Sequence, residues 1–199
     1  MNGGSARRSL LAGIVATLAT RAFGHEHKAT PASPGARDPL ATQFGGPFAL
    51  TDHTGKRVTD ADFRGRFMLV YFGFTRCAET CPVDLPVIAQ ALDGLGPLAA
   101  KIAPLFISVD PERDTPQQLA LYLQSFDKRI VGLTGTVEQV DAAVRVFKAY
   151  AKKVPTDAGY TMDHSSSVYV MDAKGGFRTI IDYHEEEQPA LAKIRMVLR

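Results

Sequence analysis

The chain holds two cysteines in 199 residues, and both fall in "YFGFTRCAETCPVDL", residues 71–85. Cys77 and Cys81 follow an apolar run and precede Pro82. A disulfide that staples a fold as a rule joins distant segments, and closing so small a loop yields little loop-entropy stabilisation. A redox pair usually reads C-x-x-C, whereas this one reads C-x-x-x-C. Two thiolates at this spacing can close a disulfide or hold a soft metal such as Cu(I). The wider gap leaves room for a metal, but spacing alone does not choose between the two. If Cys81 lies in the first turn of a helix, the local N–H groups and the helix dipole favour a thiolate.

A metal needs a third ligand, which turns attention to the five histidines. His53 sits in a turn and is expected to be solvated. His184 lies beside Glu185, Glu186 and Glu187 and reads as a solvated residue at a helix start. His25 and His27 fall in a linker-like stretch. His164 remains, in "GYTMDHSSSVYVMD", just before an apolar strand. A lone loop histidine is ordinarily a surface residue, so composition alone does not single it out. Asp163 beside it reads either as a group that orients the imidazole or as a turn residue. Asp110 and Asp114 in "VDPERDTP" read as turn and cap residues, since carboxylates suit harder ions. Thr75 and Arg76 raise a peroxidase reading, which would need both beside an activated cysteine in space.

The elements that must position these residues follow from periodicity. "GPFALTDHTGKRVTDADFRG" alternates around a turn at His53-Thr54-Gly55 and predicts a hairpin. Residues 66–74 form a continuous run of β-formers, hence a buried central strand. "PVDLPVIAQALDGLG" predicts a helix with Pro82 in its first turn and Gly94 and Gly96 at its end. Residues 103–110 predict a second buried strand. "DTPQQLALYLQSF" reads as a helix capped by Asp114 or Thr115. "IVGLTG" is a short strand, and "TVEQVDAAVRVFKAYAKKV" predicts one amphipathic helix with Val140, Val144, Phe147 and Ala151 on a shared face. "SSVYVMD" and "GFRTIIDY" predict a hairpin around Lys174-Gly175-Gly176, and "EEQPALAKIRMVLR" a last helix. This order predicts an α/β sandwich with a largely parallel centre.

"YFGFTRCAETCP", "ISVDPERDTP", "LTGTVEQV" and "DHSSSVYVMD" occur in this order at sensible separations. On these residues the chain resembles the Sco/SenC family of copper-binding proteins over roughly residues 43–199. The resemblance implies a thioredoxin-like α/β sandwich with a central mixed sheet flanked by helices. It also implies one copper ion per chain on Cys77, Cys81 and His164, and a part in assembling the binuclear copper centre of cytochrome c oxidase. The implied partners are the oxidase's copper-site subunit or another copper acceptor, and a thioredoxin-like reductant. One departure is Ala78, where relatives often have proline; it loosens the loop without removing a ligand. Two thiolates and a neutral imidazole suit Cu(I). The alternative is a thiol–disulfide oxidoreductase in which Cys77 and Cys81 are the redox pair and the target's cysteines are reduced.

The N-terminus bears on where this chemistry takes place. "ARRSLLAGIVATLATRAFG" has a basic pair, then twelve uncharged residues from Ser9 to Thr20, then small residues. That pattern predicts an export signal over residues 1–24. The paired arginines resemble a twin-arginine signal, so the expected location is the bacterial periplasm, the alternative being an uncleaved anchor facing it. Residues 25–42, rich in Pro, Ala, Ser and Thr, predict a flexible linker. Cleavage after Gly24 would start the mature chain at His25-Glu26-His27, whose amine, amides and imidazole suit Cu(II). The formal charge is +2, and removing Arg7, Arg8 and Arg21 leaves −1 for the rest. A near-neutral domain carries no electrostatic footprint for nucleic acid.

Overall fold

The computed structural model describes residues 42–199. The expected signal segment 1–24, the linker up to residue 41, and His25 and His27 lie outside the described residues. In chain order the strands are β1 (Ala49–Asp52), β2 (Arg57–Thr59), β3 (Phe67–Gly73), β4 (Ile102–Ser108), β5 (Val131–Thr134), β6 (Ala151–Thr156), β7 (Gly159–His164), β8 (Val168–Met171) and β9 (Phe177–Ile181). The helices are α1 (Cys81–Leu95), α2 (Pro116–Leu123), α3 (Val137–Val146) and α4 (Glu187–Val197). Seven strands form one mixed sheet in the order β2-β1-β5-β4-β3-β8-β9, and β6 and β7 form a separate antiparallel pair. Only β3, β4 and β5 run parallel; β1 joins β5, and β8 joins β3, antiparallel. The central mixed sheet flanked by helices agrees with the expected sandwich.

The unbroken apolar run of β3 has a direct cause. Met68, Val70 and Phe72 face one core, with α3, while Leu69 and Tyr71 face another, with α1, α2 and α4. A strand buried on both faces has no reason to alternate. β3 is an interior strand between β4 and β8, and its C-terminal end leads directly into the cysteine loop. Gly73 closes that strand where space is short: a Cβ there would sit 2.7 Å from the Phe106 ring and 2.8 Å from Cys81 Sγ.

Three expectations on element boundaries are corrected. Helix α1 runs through Gly94 and stops at Gly96, whose φ of +55° takes it out of the helical region. The helix expected over residues 136–154 ends at Val146, and Lys148 adopts a left-handed φ of +49°. Val140, Val144 and Phe147 are buried as expected, but Ala151 opens β6 instead of continuing the helix. The β6–β7 hairpin itself was not foreseen: "GYTMDH" read as a loop, although its exposed and half-buried residues alternate strictly in the structure. Among the described residues, no helix is long and apolar enough to cross a membrane.

Candidate metal centre

Three elements bring Cys77, Cys81 and His164 together. Cys77 lies in the turn after β3, where its N–H donates to the Phe74 carbonyl at 3.1 Å. Cys81 is the first residue of α1, whose N-terminal turn holds Pro82. His164 ends β7. The sulfurs and a ring nitrogen of His164 all lie within 4.8 Å of one another. Both cysteines are free thiols, Cys81 buried and Cys77 half-buried. His164 therefore stands on the end of a strand and not on the separate loop expected for it.

The hydrogen bonds distinguish the two sulfurs. Cys77 Sγ receives the Cys81 backbone N–H at 3.5 Å and lies 3.0 Å from Thr80 Oγ1 and 3.9 Å from His164 Nε2. The hydrogen bond from the Cys81 thiol holds Cys77 far below the ordinary thiol range, against the opposing effect of burial. The His164 ring, the Cys81 N–H and Thr80 act in the same direction. Cys81 is pushed up instead, by being that donor, by burial and by the charge on Cys77. The Cys81 thiol, helped by the N–H at the helix start, thus favours a thiolate on Cys77, outside the helix, while Cys81 inside it keeps its proton. The first-turn N–H points at the preceding loop, so the residue in the loop gains.

Cysteine alkylation reads this asymmetry. Iodoacetamide is expected to label Cys77 ahead of Cys81, at a rate that changes little from neutral to mildly acidic pH. An ordinary thiol slows about tenfold per pH unit below its pKa. Peptide mass spectrometry after timed quenching measures both rates. Prior labelling of Cys81, or a tenfold decline per unit at Cys77, would contradict the assignment.

His164 is oriented by the backbone. Its Nδ1 lies 2.9 Å from the Ser165 carbonyl, an acceptor, so Nδ1 carries the proton and Nε2 faces Cys77. Burial works against charge on this ring. The hydrogen bond to Cys77, the Ser165 carbonyl and the charges of Cys77 and Asp163 outweigh burial and raise its pKa. Asp163, on the exposed side of β7, acts only through charge; the orienting group is the Ser165 carbonyl. Phe74 and Tyr71 meet the imidazole edge-on, with ring centroids 5.7 and 6.5 Å away.

Several supporting residues escaped sequence reasoning. Behind Cys81 the Tyr71 hydroxyl lies 3.8 Å from Sγ and donates to Asp84 Oδ2 at 3.0 Å. Asp84 is buried, which raises its pKa, and it also accepts the His184 N–H at 3.3 Å. Asp114 is not the cap of α2, since the Thr115 hydroxyl takes that position. Asp114 is fully buried and accepts from Thr75 N at 2.9 Å, Thr75 Oγ1 at 2.6 Å and Ser108 Oγ at 2.6 Å. Thr75 is thereby committed to the brace, and the hydroxyl beside Cys77 is that of Thr80, which weakens the peroxidase reading. His53 is half-buried, its Nδ1 accepting from Gly132 N at 3.0 Å, and so is not a free turn residue. His184 is exposed and stacks on Tyr183.

The same acidic segment grips the hairpin that bears His164. Asp110 is ion-paired with Arg113 and accepts from the Tyr160 hydroxyl at 2.9 Å. Arg113 donates to the Tyr160 carbonyl at 3.0 Å and lies 3.7 Å from the centre of its ring. Lys153 bridges to Glu112 at 2.7 Å. Residues 110–114 therefore brace both the cysteine loop and β7. The sequence signal for this was present in "DPERD", but its partners lie 39 or more residues away.

An open cleft of about 450 Å³ leads to the site, lined by Cys77, Thr80, Met162 and His164 among others. A buried thiol, a half-buried thiolate and an imidazole whose Nε2 faces Cys77 are a soft donor set once Cys81 and the imidazole give up the protons that the metal-free site favours. They can hold one soft metal ion, or the two sulfurs can close a disulfide. The donor set fits a copper-type ion far better than a hard one.

Comparison with known proteins gives the same direction. A human mitochondrial SCO1 homologue is 39% identical over 160 residues, covering 78% of this chain and 53% of that protein. The chain spans about half the length of the curated relatives it matches first. The structure of Bradyrhizobium japonicum ScoI with copper bound superposes with a TM-score of 0.72 at 42% identity, covering 77% of this chain and 99% of that one. BsSco matches with a TM-score of 0.65 at 25% identity, covering 81% and 96%. It is described as having a disulfide switch and as a member of the Sco family of cytochrome c oxidase assembly proteins. The family model SCO1/SenC matches residues 36–199, nearly everything beyond the N-terminal segment, and the chain belongs to that family.

Proposed function

We propose that this protein is a copper metallochaperone that binds one Cu(I) through Cys77, Cys81 and His164. It passes the ion to the copper-site subunit during assembly of the binuclear centre of cytochrome c oxidase. The observation that carries this reading is the convergence of two sulfurs and a ring nitrogen within 4.8 Å at the base of an open cleft. A relative at 42% identity was solved with copper bound, and BsSco belongs to a family of oxidase assembly proteins. Loading requires Cys81 to lose the proton that burial and Cys77 preserve, so uptake of the ion releases it. Residues 1–24 export the protein to the bacterial periplasm, by the twin-arginine route, and residues 43–199 form the copper-binding domain. If the segment stays uncleaved, the same domain is held at the membrane facing the periplasm.

The test is a titration of the reduced protein with Cu(I) against a competing chelator, read together with the thiol count. One copper per chain is expected when both thiols are free, and essentially none once the pair is oxidised. Stoichiometric binding by the oxidised protein would overturn the reading.

A second reading is favoured by one specific observation. A thiolate at Cys77 beside a protonated, buried Cys81 is the pairing that thiol–disulfide exchange uses, with an accessible attacking sulfur and a shielded resolving one. A thiol–disulfide reductase acting on the acceptor's cysteines is therefore the alternative. It predicts that His164→Ala retains reductase turnover while copper binding is strongly weakened.

A further inference from the structure

We propose that Met162 supplies a fourth, soft donor to the copper ion, from the wall of the cleft. This inference rests on the three-ligand reading of Cys77, Cys81 and His164. Met162 precedes His164 by two residues on β7, and the alternation of burial along Gly159–His164 gives the two a shared inward face. Two residues along a strand separate them by about 6.6 Å. A methionine side chain, unbranched and with three rotatable bonds, has the freedom to turn its sulfur toward its neighbour on that face.

Position and chemistry point the same way. Met162 lines the cleft with Cys77 and His164, and it also lines the adjoining cavity beside Val109, Glu112 and Asp141. It thus stands between two open spaces, half-buried, with one flank against the core. Among the described residues lining the cleft, Cys77 and Met162 are the two that carry sulfur. A soft ion held by two thiolates and an imidazole beside this cleft would accept a neutral thioether as a matching soft ligand. Core packing alone would be served equally by leucine, a volume-conserving exchange that proteins tolerate well. That equivalence provides the control.

The experiment uses the full chain labelled with selenomethionine at its five methionines, loaded with Cu(I). X-ray absorption at the selenium edge should show a copper scatterer that disappears in Met162→Leu. In the same variant, Cu(I) retention against a chelator should fall by at least about tenfold, since a direct donor counts for no less than the groups beyond the ligands, which cost about 10–100-fold. The melting temperature without metal should be unchanged. Loaded wild-type protein without selenium–copper scattering, or unchanged retention in Met162→Leu, overturns the role of Met162 alone. Failure of the wild-type protein to take up Cu(I) overturns the three-ligand reading and this inference with it.

Discussion

Cys77→Ala and Cys81→Ala are each expected to abolish tight Cu(I) binding, and His164→Ala to weaken it by more than about a hundredfold. The magnitude follows from comparison: groups one shell beyond a metal already cost about 10–100-fold when removed, and His164 is proposed as a ligand itself. The variants differ in what survives. Cys77→Ala removes the thiolate, and Cys81 is left as a buried thiol beside Tyr71 and the Phe74 carbonyl. Neither cysteine variant can form the disulfide. His164→Ala leaves both sulfurs in place, so oxidation of the pair should continue nearly as in the wild type. Chelator competition and thiol titration on the same samples separate the effects. Wild-type copper affinity in His164→Ala would reject the three-ligand site, and loss of disulfide formation there would assign His164 to the redox chemistry instead.

Asp114→Ala should be among the most destabilising single changes at the edge of the site, costing about 3–5 kcal/mol. The carboxylate accepts three hydrogen bonds in a place closed to water. Bonds to a charged acceptor contribute about 1.5–3 kcal/mol each, and buried donors left without a partner add their own penalty. Simple summation overshoots because the neighbours relax, which sets the lower end of the range. Asp114→Asn keeps one acceptor oxygen and should cost roughly half as much. Urea denaturation of the metal-free protein gives both values, and a cost under about 0.5 kcal/mol, the scale of neutral surface changes, would refute the brace. Because Asp114 ties Thr75 at the entrance to the cysteine loop, Asp114→Asn should also weaken copper binding while leaving all three ligands intact.

Much of this protein was legible in its sequence because much of it is locally encoded. The run from Phe67 to Gly73 declared itself as a strand buried on both faces. Pro82 and the spacing of Leu85, Ile88 and Leu92 marked α1. The alternating segments flanking tight turns marked both hairpins of the main sheet. Cys77 and Cys81 stood out by type and spacing, and His164 by elimination and then by the resemblance of "DHSSSVYVMD" to a family pattern. Each of these is a statement about residues within a few positions of one another.

What the sequence left open depended on partners far along the chain. The amphipathic period of α3 continues on paper past Phe147, and only packing of β6 against β7 shows that the chain turns there. Asp114 shared the cap reading with Thr115 because Asp-Thr-Pro is a cap pattern; two of the three hydrogen bonds it accepts come from Thr75, 39 residues away. The charge states of the two cysteines could not be inferred from helix position alone. They depend on which sulfur is buried against Tyr71 and which receives the Cys81 N–H, and both are consequences of how β3, α1 and β7 converge. Local propensity determines which elements form. Burial and hydrogen bonding across the chain decide where they stop and what their side chains become.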